Sequence, residues 1–400
     1  MKNLFFIVVI SWMAASCGTS ARENGQGAGK QLKDTVNLDF TVTEAPEWTA
    51  LFDRTSGWFG ADGIFAIPLS GVDRAGGGDS TLLIFSDTMI GQIKEGELQG
   101  GWRMVNNTVA YLEGSEPREE KLHFHWKEEQ DGRAGTLFVP ATPSAEQGDY
   151  YWLGDGFVNP ANGATYLFAY RMRNLSDDNW SFSEMGNVLI KLPAGSKPPF
   201  TDQVQMETPL SFPGPENKGS FGAGIFVNTE SAGVPNPDGY VYVYGVRGKA
   251  KNLVVSRVLP EEVEDFSKWS FWDGTGWNPD IAATKDIVSG VSNELSVSPL
   301  PDGRYALVFQ KDAMSPIVGL RLGLRPEGPF GPVIPLWECT EVQQKNIIVY
   351  NAKAHPALSK PGELIVSYNV NAFDFGNEIV KQPNLYRPRF IRLQFGAGEK

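Results

Sequence analysis

The segment GADGIFAIPL at residues 60–69, followed after a glycine-rich turn by TLLIFSDT at residues 81–88, decides the fold. The second segment is a nearly unbroken apolar run, which is typical of a strand that is buried on both faces. It ends in Ser86, Asp87 and Thr88, three polar side chains that would be stranded in an apolar core. We therefore interpret the segments as neighbouring strands that each present one carboxylate, Asp62 and Asp87, at the mouth of a polar site.

The same pattern of small residues, an acid or a histidine, and then an apolar strand recurs around Asp155, Glu294 and His355. A propeller blade begins with an inner strand at the central channel, and the inner strands of all blades converge on one axis. The acids can therefore meet although they are far apart in the sequence. This recurrence predicts a β-propeller with a carboxylate-lined centre.

The rest of the chain favours an all-β fold of five blades. From residue 37 onward no long stretch repeats apolar residues every 3.6 positions, and the apolar runs are short and separated by Gly, Pro and Asp turns. The last blade lacks a strand, which the alternating residues 37–43 would supply, so that the two ends of the chain close the ring. A pair of β-sandwiches is the alternative, but it explains the recurring acids less well. The inner strands are predicted at residues 58–69, 150–158, 219–228, 293–300 and 350–358.

Composition limits the classes of partner. Apolar residues make up 41% and aromatic residues 12% of the 400 residues, which is ample for a large core, and 44 Gly and 27 Pro suit a chain with many turns. The formal net charge of -12 argues against nucleic acid or an anionic membrane as the main partner, because both recruit Lys and Arg. An acidic surface is compatible with neutral glycans.

The N-terminus predicts export. Residues 1–17 combine a charged start, an apolar run too short to span a bilayer, and small residues before Cys17 that resemble the bacterial lipobox. Cys17 would carry a lipid, the only attachment to the membrane, and hold the protein on the periplasmic or surface face of a bacterial outer membrane. A plain secretory signal is the alternative. Residues 18–36 look like a flexible tether, and residues 37–396 a single propeller domain that we expect to be monomeric.

Two carboxyl groups that face one another across a water-filled channel are what glycoside hydrolysis requires: one is ionised to activate water or attack carbon, and one is protonated to donate to the leaving oxygen. We predict Asp62 as the base and Glu294 as the acid, because the longer side chain can reach a leaving group. Asp155 would tune the acid, and Asp87 competes with Asp62 for the role of base. Taken alone, each acid is better explained as a turn residue that caps a backbone amide; their shared placement favours a common site.

Aromatic and arginine side chains near the predicted strand ends are candidates for binding sugar, since aromatic faces stack on sugar rings and a guanidinium presents a fixed fork of donors. Core packing of the aromatic residues, and ion pairs between the arginines and the channel acids, are the alternatives. The residues with predicted substrate-binding roles are Trp58, Trp152, Arg103, Arg171, Arg247 and Arg387.

His355 is one of three histidines and leaves several roles open. It could bind a metal on the axis, orient a carboxylate or contact sugar hydroxyls, and an ordinary hydrogen-bonded histidine of an inner strand is equally compatible. No cluster has the spacing of zinc ligands, and no EF-hand loop is present.

Several short motifs in a fixed order resemble the domain-of-unknown-function family 4185 over about residues 58–393. The motifs are GADG at 60–63, FSDT at 85–88, NNT at 106–108, AHP at 354–356, VSYN at 366–369 and YRPRF at 386–390, and Ser86 stands where Gly is expected. The resemblance implies a five-bladed propeller related to the furanosidases of glycoside hydrolase families 43, 32 and 117, with some relatives classed as endo-D-arabinanases of family 183.

The resemblance also implies roles for particular residues. Asp62, Asp155 and Glu294 would be the base, the tuning residue and the acid, and a structural calcium ion would lie on the axis near His355. No redox cofactor is required. The motifs add three residues to the predicted substrate-binding set, which are Asn107, Tyr368 and Asn369.

Two functions are compatible with these features. The first is a lipoprotein glycoside hydrolase that cleaves a furanose-containing, arabinan-like polysaccharide by carboxylate acid/base catalysis. The alternative is a non-catalytic glycan-binding propeller that belongs to a polysaccharide-utilisation system. We favour the enzyme, because binding through stacked aromatic residues does not need several acids in one channel.

Overall fold

Five antiparallel sheets follow one another along the chain in this computed structural model, which describes residues 34–176, 178 and 180–396. Each sheet is one blade, and the inner strands contact one another in ring order, from blade one to blade five and back to blade one. The prediction of an all-β, five-bladed propeller is confirmed. The inner strands of blades one to five are Ser56–Pro68, Tyr150–Val158, Gly219–Asn228, Leu295–Pro299 and Ile347–His355.

The other strands follow outward from the inner strands, except Ser211–Phe212 of blade three, which pairs with the opposite edge of the inner strand. Blade one contains Thr81–Lys94, Arg103–Val105, Thr108–Leu112 and Leu122–His125, with Glu97–Leu98 paired to the long second strand. Blade two contains Thr165–Asn174, Phe182–Leu192 and Val204–Thr208. Blade three contains Ser211–Phe212, Tyr240–Arg247, Asn252–Val258, Ser270–Trp272 and Trp277–Asn278. Blade four contains Tyr305–Gln310, Ile317–Gly323 and Ile334–Glu338, and blade five contains Glu363–Ala372, Arg389–Phe395 and Phe40–Glu44.

The remaining elements are short. Two α-helices, Pro46–Ala50 and Phe375–Lys381, and a separate strand pair, Lys127–Glu128 with Ala134–Gly135, complete the described part of the chain together with single-turn helices. Those turns are Glu119–Lys121, Pro260–Glu262, Phe266–Lys268, Ile281–Ala283, Thr340–Gln343 and Pro356–Leu358.

The ring closes as the alternating N-terminal segment predicts. Phe40–Glu44 pairs with Arg389–Phe395, and Phe40 lies opposite Phe395. The strand therefore covers what would otherwise be an open edge of blade five. Residues 204–212 are divided between two blades: Val204–Thr208 is the last strand of blade two, and Ser211–Phe212 pairs with Gly219 and Ser220 in blade three. Pro209 separates the two pieces and has no N–H group to continue a ladder.

The apolar core lies between adjacent blades. Five clusters of buried side chains occupy the five blade-to-blade interfaces, so each sheet buries both of its faces. This arrangement explains the continuous apolar runs in the second strands of the blades. It also accounts for the many aromatic residues, since wedge-shaped gaps between blades are filled by side chains such as Trp269, Tyr151 and Phe85.

Glycine lets the inner strands approach one another at the axis. A Cβ atom added to Gly154 of blade two would lie 2.6 Å from the carbonyl oxygen of Gly222 in blade three. Gly222 itself has a φ of +110° and would meet the Phe168 ring at 2.6 Å. Larger residues at these two positions would push the inner strands apart and widen the channel.

The predicted signal peptide of residues 1–17, with Cys17, and the tether up to residue 33 lie outside the described residues. Within the described part of the chain, no helix is long and apolar enough to cross a membrane.

Candidate functional site

Asp62 and Asp87 face one another at a bulge between the first two strands of blade one. The pairing passes from Ala61 opposite Thr88 to Gly63 opposite Phe85, so one residue on the first strand lies against two on the second. Gly63 and Ile64 adopt left-handed conformations there, with φ values of 84° and 60°. A bulge re-aims side chains, and at this one the two carboxyl groups lie close enough for the charge of Asp87 to act on Asp62.

The environment of Asp62 favours its protonated form. Burial raises the pKa of Asp62 to about 8, and the negative charges of Asp87 and Glu294 add to the rise. The hydroxyl groups of Tyr350 and Tyr386 act in the opposite direction; that of Tyr350 donates to Oδ2 at 2.8 Å. Oδ1 of Asp62 is buried and has no partner in hydrogen-bonding geometry among the described residues. Asp62 thus holds a proton near neutral pH and has one oxygen that is not engaged by the protein.

Asp87 titrates at lower pH than its neighbour. Burial raises the pKa of Asp87 to about 6, and the side chains of Trp152 and Asn106 limit the rise. Asn106 donates from Nδ2 to Oδ1 of Asp87 at 3.2 Å. The pair as a whole therefore keeps one proton at neutral pH, which is the arrangement that acid/base chemistry needs.

Glu294 is held by two side chains of blade five. Lys353 places Nζ 2.5 Å from Oε2 of Glu294, and Asn351 donates from Nδ2 to Oε1 at 2.8 Å. Burial raises the pKa of Glu294, and the ammonium group acts against that rise. Lys353 also donates to the carbonyl oxygen of Gly63 at 2.6 Å, which ties Glu294 to the bulge of blade one. Both oxygens of Glu294 are engaged, so neither is free to give a proton to a leaving group in this arrangement.

Asp155 lies deeper in the channel and is bound to the backbone. Its oxygens accept from the N–H groups of Gly156 at 2.8 Å and of Ile225, in blade three, at 2.7 Å. Burial nevertheless raises the pKa of Asp155 to about 8. Asp155 and Asp73 line a cavity of about 50 Å³ formed by the carboxyl-terminal halves of the inner strands. The residue joins blades two and three below Asp62 and Glu294.

A row of aromatic rings leads from the acids to the surface. Trp152, beside Asp87, packs edge-on against Phe182 with 4.8 Å between ring centroids. Trp180 lies 6.4 Å from Phe182 and 5.9 Å from Phe373, and its Nε1 donates to the carbonyl oxygen of Phe373 at 2.9 Å. Trp180 and Phe373 are 45% and 53% exposed, so the row offers apolar faces on which sugar rings can stack.

The structure brings some of the predicted substrate-binding residues to grooves near the acids. Trp152 and Arg247 line a cleft of about 370 Å³ between blades two, three and four. Arg103 lines a second groove, next to Asn106 and Tyr150. These three remain candidates for contacts with substrate.

Six others lie inside the protein and make structural contacts. Trp58 is 1% exposed and packs on Phe124 and Phe52 in the core, not at the channel. The rest are similarly buried: Asn107 bonds to Phe138 and Tyr151, Arg171 to Ser144 and Asp149, Tyr368 to Glu341, and Arg387 to Asp53 and Phe59, while Asn369 is 1% exposed. The fold uses the polar groups of four of these residues, so we do not include them in the site: Asn107, Arg171, Tyr368 and Arg387. Trp58 and Asn369 are left out because they are buried, although Nε1 of Trp58 and both polar side-chain atoms of Asn369 have no hydrogen-bond partner among the described residues.

His355 lies at the end of the inner strand of blade five. It is 2% exposed, its Nε2 is 2.7 Å from the Ser367 hydroxyl, and its ring packs near Phe390. Burial lowers the pKa of His355 to about 3, so the ring is neutral. Among the residues that the structure describes, no group of three or more His, Cys, Asp or Glu side chains is arranged to hold a metal ion. The calcium site predicted beside His355 therefore has no set of ligands of that kind.

Sequence reasoning missed the residues that surround the acids. Tyr350, Asn351 and Lys353 come from the inner strand of blade five, Tyr386 from the loop before the last strand, and Glu184 from the third strand of blade two. A signal was available for one of them: Lys353 stands among small and apolar residues in a strand that is buried on both faces. A lysine there requires a buried partner.

The family described as "Domain of unknown function (DUF5005)" matches residues 46–395. The resemblance to family 4185 is therefore wrong as an identification. Small residues, one acid and an apolar strand are what the inner strand of any such propeller needs, so motifs of this kind do not distinguish between families. No curated protein matches the chain.

Several solved structures share the propeller fold at low sequence identity. A proposed hydrolase from Bacteroides ovatus ATCC 8483 is 19% identical over 89% of this chain and 93% of that chain, with a TM-score of 0.68. A GH62 hydrolase in complex with xylotriose is 9% identical over 89% and 96%, with a TM-score of 0.47. The GH43 protein BlXynB from Bacillus licheniformis is 14% identical over 83% and 51%, with a TM-score of 0.40. We take from the Bacteroides ovatus structure the fold alone, and we draw no conclusion from the other two.

Proposed function

The chain belongs to the DUF5005 family, and we propose that it is a glycoside hydrolase whose acid/base pair is Asp62 and Asp87. The observation that carries the proposal is the pair itself: two carboxyl groups at one bulge of adjacent strands, close enough for the charge of Asp87 to act on Asp62, with pKa values raised to about 8 and about 6. One group keeps a proton at neutral pH while the other is ionised. Cleavage of a glycosidic bond uses both forms at once.

In this proposal Asp62 donates a proton to the leaving oxygen and Asp87 activates water or attacks the anomeric carbon. The sequence alone suggested Asp62 as the base and Glu294 as the acid. The engaged oxygens of Glu294 and the protonated state of Asp62 support the different assignment. Glu294 then has a positioning role, since its charge raises the pKa of Asp62 and its ion pair with Lys353 anchors the bulge.

A propeller that only binds glycans would not need this cluster. Burying Asp62, Asp87, Asp155 and Glu294, with one buried ammonium group that acts on Asp155 and Glu294, removes water from charged groups, which costs stability. The raised pKa values are the sign of that cost. Sugar hydroxyls can be bound by neutral donors and aromatic faces without it, so the cluster supports catalysis over binding.

The finer parts of the proposal concern substrate and location. The exposed aromatic row and the two grooves support a polymeric glycan, and a furanose-containing polysaccharide such as arabinan is the first candidate. We also propose that Cys17 carries a lipid that anchors the exported protein, on the basis of the N-terminal sequence.

A product assay tests the function. Protein that starts at residue 30 is incubated with arabinans, arabinogalactans, fructans and algal galactans beside Asp62→Asn, Asp87→Asn and the control Glu120→Gln, an exposed acid on the outer side of blade one. We expect oligosaccharide from the parent and the control, and at least a thousandfold less from the two Asn variants, with unchanged melting temperatures or higher ones. Binding of a glycan by the parent without any cleavage, unaffected by Asp62→Asn, would instead identify a binding protein.

A further inference from the structure

The cleft between blades two, three and four has one apolar wall and one cationic wall. Trp152, Tyr170 and Phe182 form the apolar wall, next to Asp87 and Glu294. The opposite wall is the turn at residues 247–251, with sequence RGKAK, which connects two strands of blade three and carries three cations. Such a concentration is unexpected in a chain with a net charge of -12.

Two of the three cations are neutralised by carboxylates. Arg247 places Nε 2.7 Å from Asp286 and donates to the carbonyl oxygen of Thr284, and Lys249 pairs with Glu216 at 2.8 Å. A fourth cation of the cleft, Lys218, lies close enough to Glu184 to limit the rise that burial causes in the pKa of that acid. These charges have partners within the protein.

Lys251 is different. Its side chain is half-buried in the cleft, and no carboxylate of the described residues lies within ion-pair distance of its Nζ. The only hydrogen bond of its side chain within the described residues is from Nζ to Oδ1 of Asn293 at 2.7 Å. An ammonium group has three donors, so two of them have no acceptor among the described residues and are available to a ligand in the cleft.

The backbone holds Lys251 in this position. The residue is in the left-handed region, with a φ of 51°, and its N–H group donates to the carbonyl oxygen of Gly248 at 3.1 Å. Its carbonyl oxygen accepts from Val291 at 3.2 Å, which ties the turn to the segment that leads into Glu294. Burying an unpaired cation is unfavourable, and a left-handed conformation adds strain for a residue with a side chain. The fold maintains both in a cleft that opens to ligand.

We infer that this cleft binds a sugar that carries an anionic group, a carboxylate or a sulfate, with Lys251 as the cation that receives it. The inference rests on the proposed glycoside hydrolase function and narrows its substrate to acidic glycans. Asn293, the hydrogen-bond partner of Lys251, directly precedes Glu294 in the chain. Trp152 lines the same cleft and lies beside Asp87, so the charged sugar would bind near the proposed base. The acidic composition of the chain is compatible with neutral glycans, and the cleft would add a local preference for an anionic group.

Paired substrates test this inference and separate the two anionic groups. The first pair is an arabinogalactan that contains uronic acid and the same polymer after carboxyl reduction; the second is a sulfated galactan and its desulfated form. The parent protein is compared with Lys251→Met, which keeps the aliphatic stem, and with Lys249→Met, which removes a neutralised cation from the same turn. We expect the parent to cleave the anionic member of one pair with a kcat/KM at least tenfold higher than the neutral member. Lys251→Met should abolish the ratio, and Lys249→Met should keep it.

The outcomes distinguish the inference from the function on which it rests. Equal cleavage of anionic and neutral members, or a ratio that survives in Lys251→Met, would overturn the anionic site and leave the hydrolase in place. If the folded parent cleaves none of the four polymers, its affinity for each is measured instead by calorimetry. Tighter binding of one anionic member that is lost in Lys251→Met supports the site without hydrolysis, and equal affinities within both pairs reject it.

Discussion

The ammonium group of Lys353 lies 2.5 Å from a carboxylate oxygen of Glu294, and this pair joins the inner strands of blades five and four. Lys353 is 1% exposed and Glu294 8% exposed, so neither charge is compensated by water. The same Nζ atom donates to Gly63 and lies 4.5 Å from the centroid of the Phe65 ring in blade one. One side chain thus connects three blades at the axis.

Replacing Lys353 with Met should destabilise the protein strongly, because Glu294 would be left buried without its cation. Loss of one partner of a buried ion pair costs about 3–5 kcal/mol. We expect chemical denaturation of Lys353→Met to show a loss of that order. The double variant Lys353→Met with Glu294→Gln should recover a substantial part of it, since no uncompensated charge remains. Equal stabilities of the single and double variants would mean that the pair contributes little.

The pH dependence of turnover should be bell-shaped and centred near neutral pH. Activity should rise as Asp87 ionises through a pKa of about 6, because the base is then available. It should fall as Asp62 loses its proton through a pKa of about 8, because the proton donor is then lost. Initial rates between pH 4 and 10 measure both limbs. A profile that keeps rising above pH 9 would contradict a protonated Asp62 in the active form.

The roles of the two carboxyl groups can be assigned by testing the Asn variants on substrates with good leaving groups and with an added nucleophile. Asp62→Asn should retain much more activity on aryl glycosides with good leaving groups than on polysaccharide, because such groups depart without protonation. Asp87→Asn should stay inactive on both, and added azide should restore turnover if Asp87 attacks the sugar. If Asp87→Asn or Glu294→Gln instead keeps activity on aryl glycosides but loses it on polysaccharide, that residue is the acid.

The sequence predicts the fold well because each blade repeats the same local sequence pattern. Small residues at the start of an inner strand and an apolar second strand are visible without long-range information, and strands 150–158 and 219–228 have the predicted bounds. The closing strand could be predicted because residues 37–43 alternate polar and apolar residues, and because the last blade was the one that lacked a strand. The exact strand boundaries are harder to predict: after Pro209 the chain leaves blade two, and Ser211 and Phe212 pair in blade three.

The site is predicted less completely, because its contacts are between blades. Asp62 and Asp87 lie on adjacent strands, so their proximity follows from local pairing. The partners Tyr350 and Lys353 depend on how blade five sits against blade one, which no local pattern encodes. Trp58 was expected near the channel but lies in the core, because the pairing of its strand shifts at three places and the alternation of faces is lost.

Removal of the closing strand should weaken the whole ring. A chain that starts at Ala45 lacks Phe40–Glu44, which leaves the ladder of Arg389–Phe395 open to water and to other molecules. It also loses Phe40 and Val42, which are half-buried against the cluster between blades four and five. At about 1.5–3 kcal/mol for each fully buried side chain of this size, their partial burial contributes about 2–3 kcal/mol. We expect the melting temperature to fall by roughly 5 °C, with concentration-dependent aggregation.

A chain that starts at Leu38 keeps the strand and is the matched control for this truncation. It loses the bonds that Arg304 makes to the carbonyl oxygens of Asp34 and Asn37, so it reports the effect of the preceding segment alone. A synthetic peptide of residues 38–44 added to the shorter chain should raise its melting temperature in a saturable way, because the open edge offers the same ladder in trans. If the chains starting at Leu38 and Ala45 melt together and the peptide has no effect, the ring is held by the contacts between blades and the N-terminal strand only covers its edge.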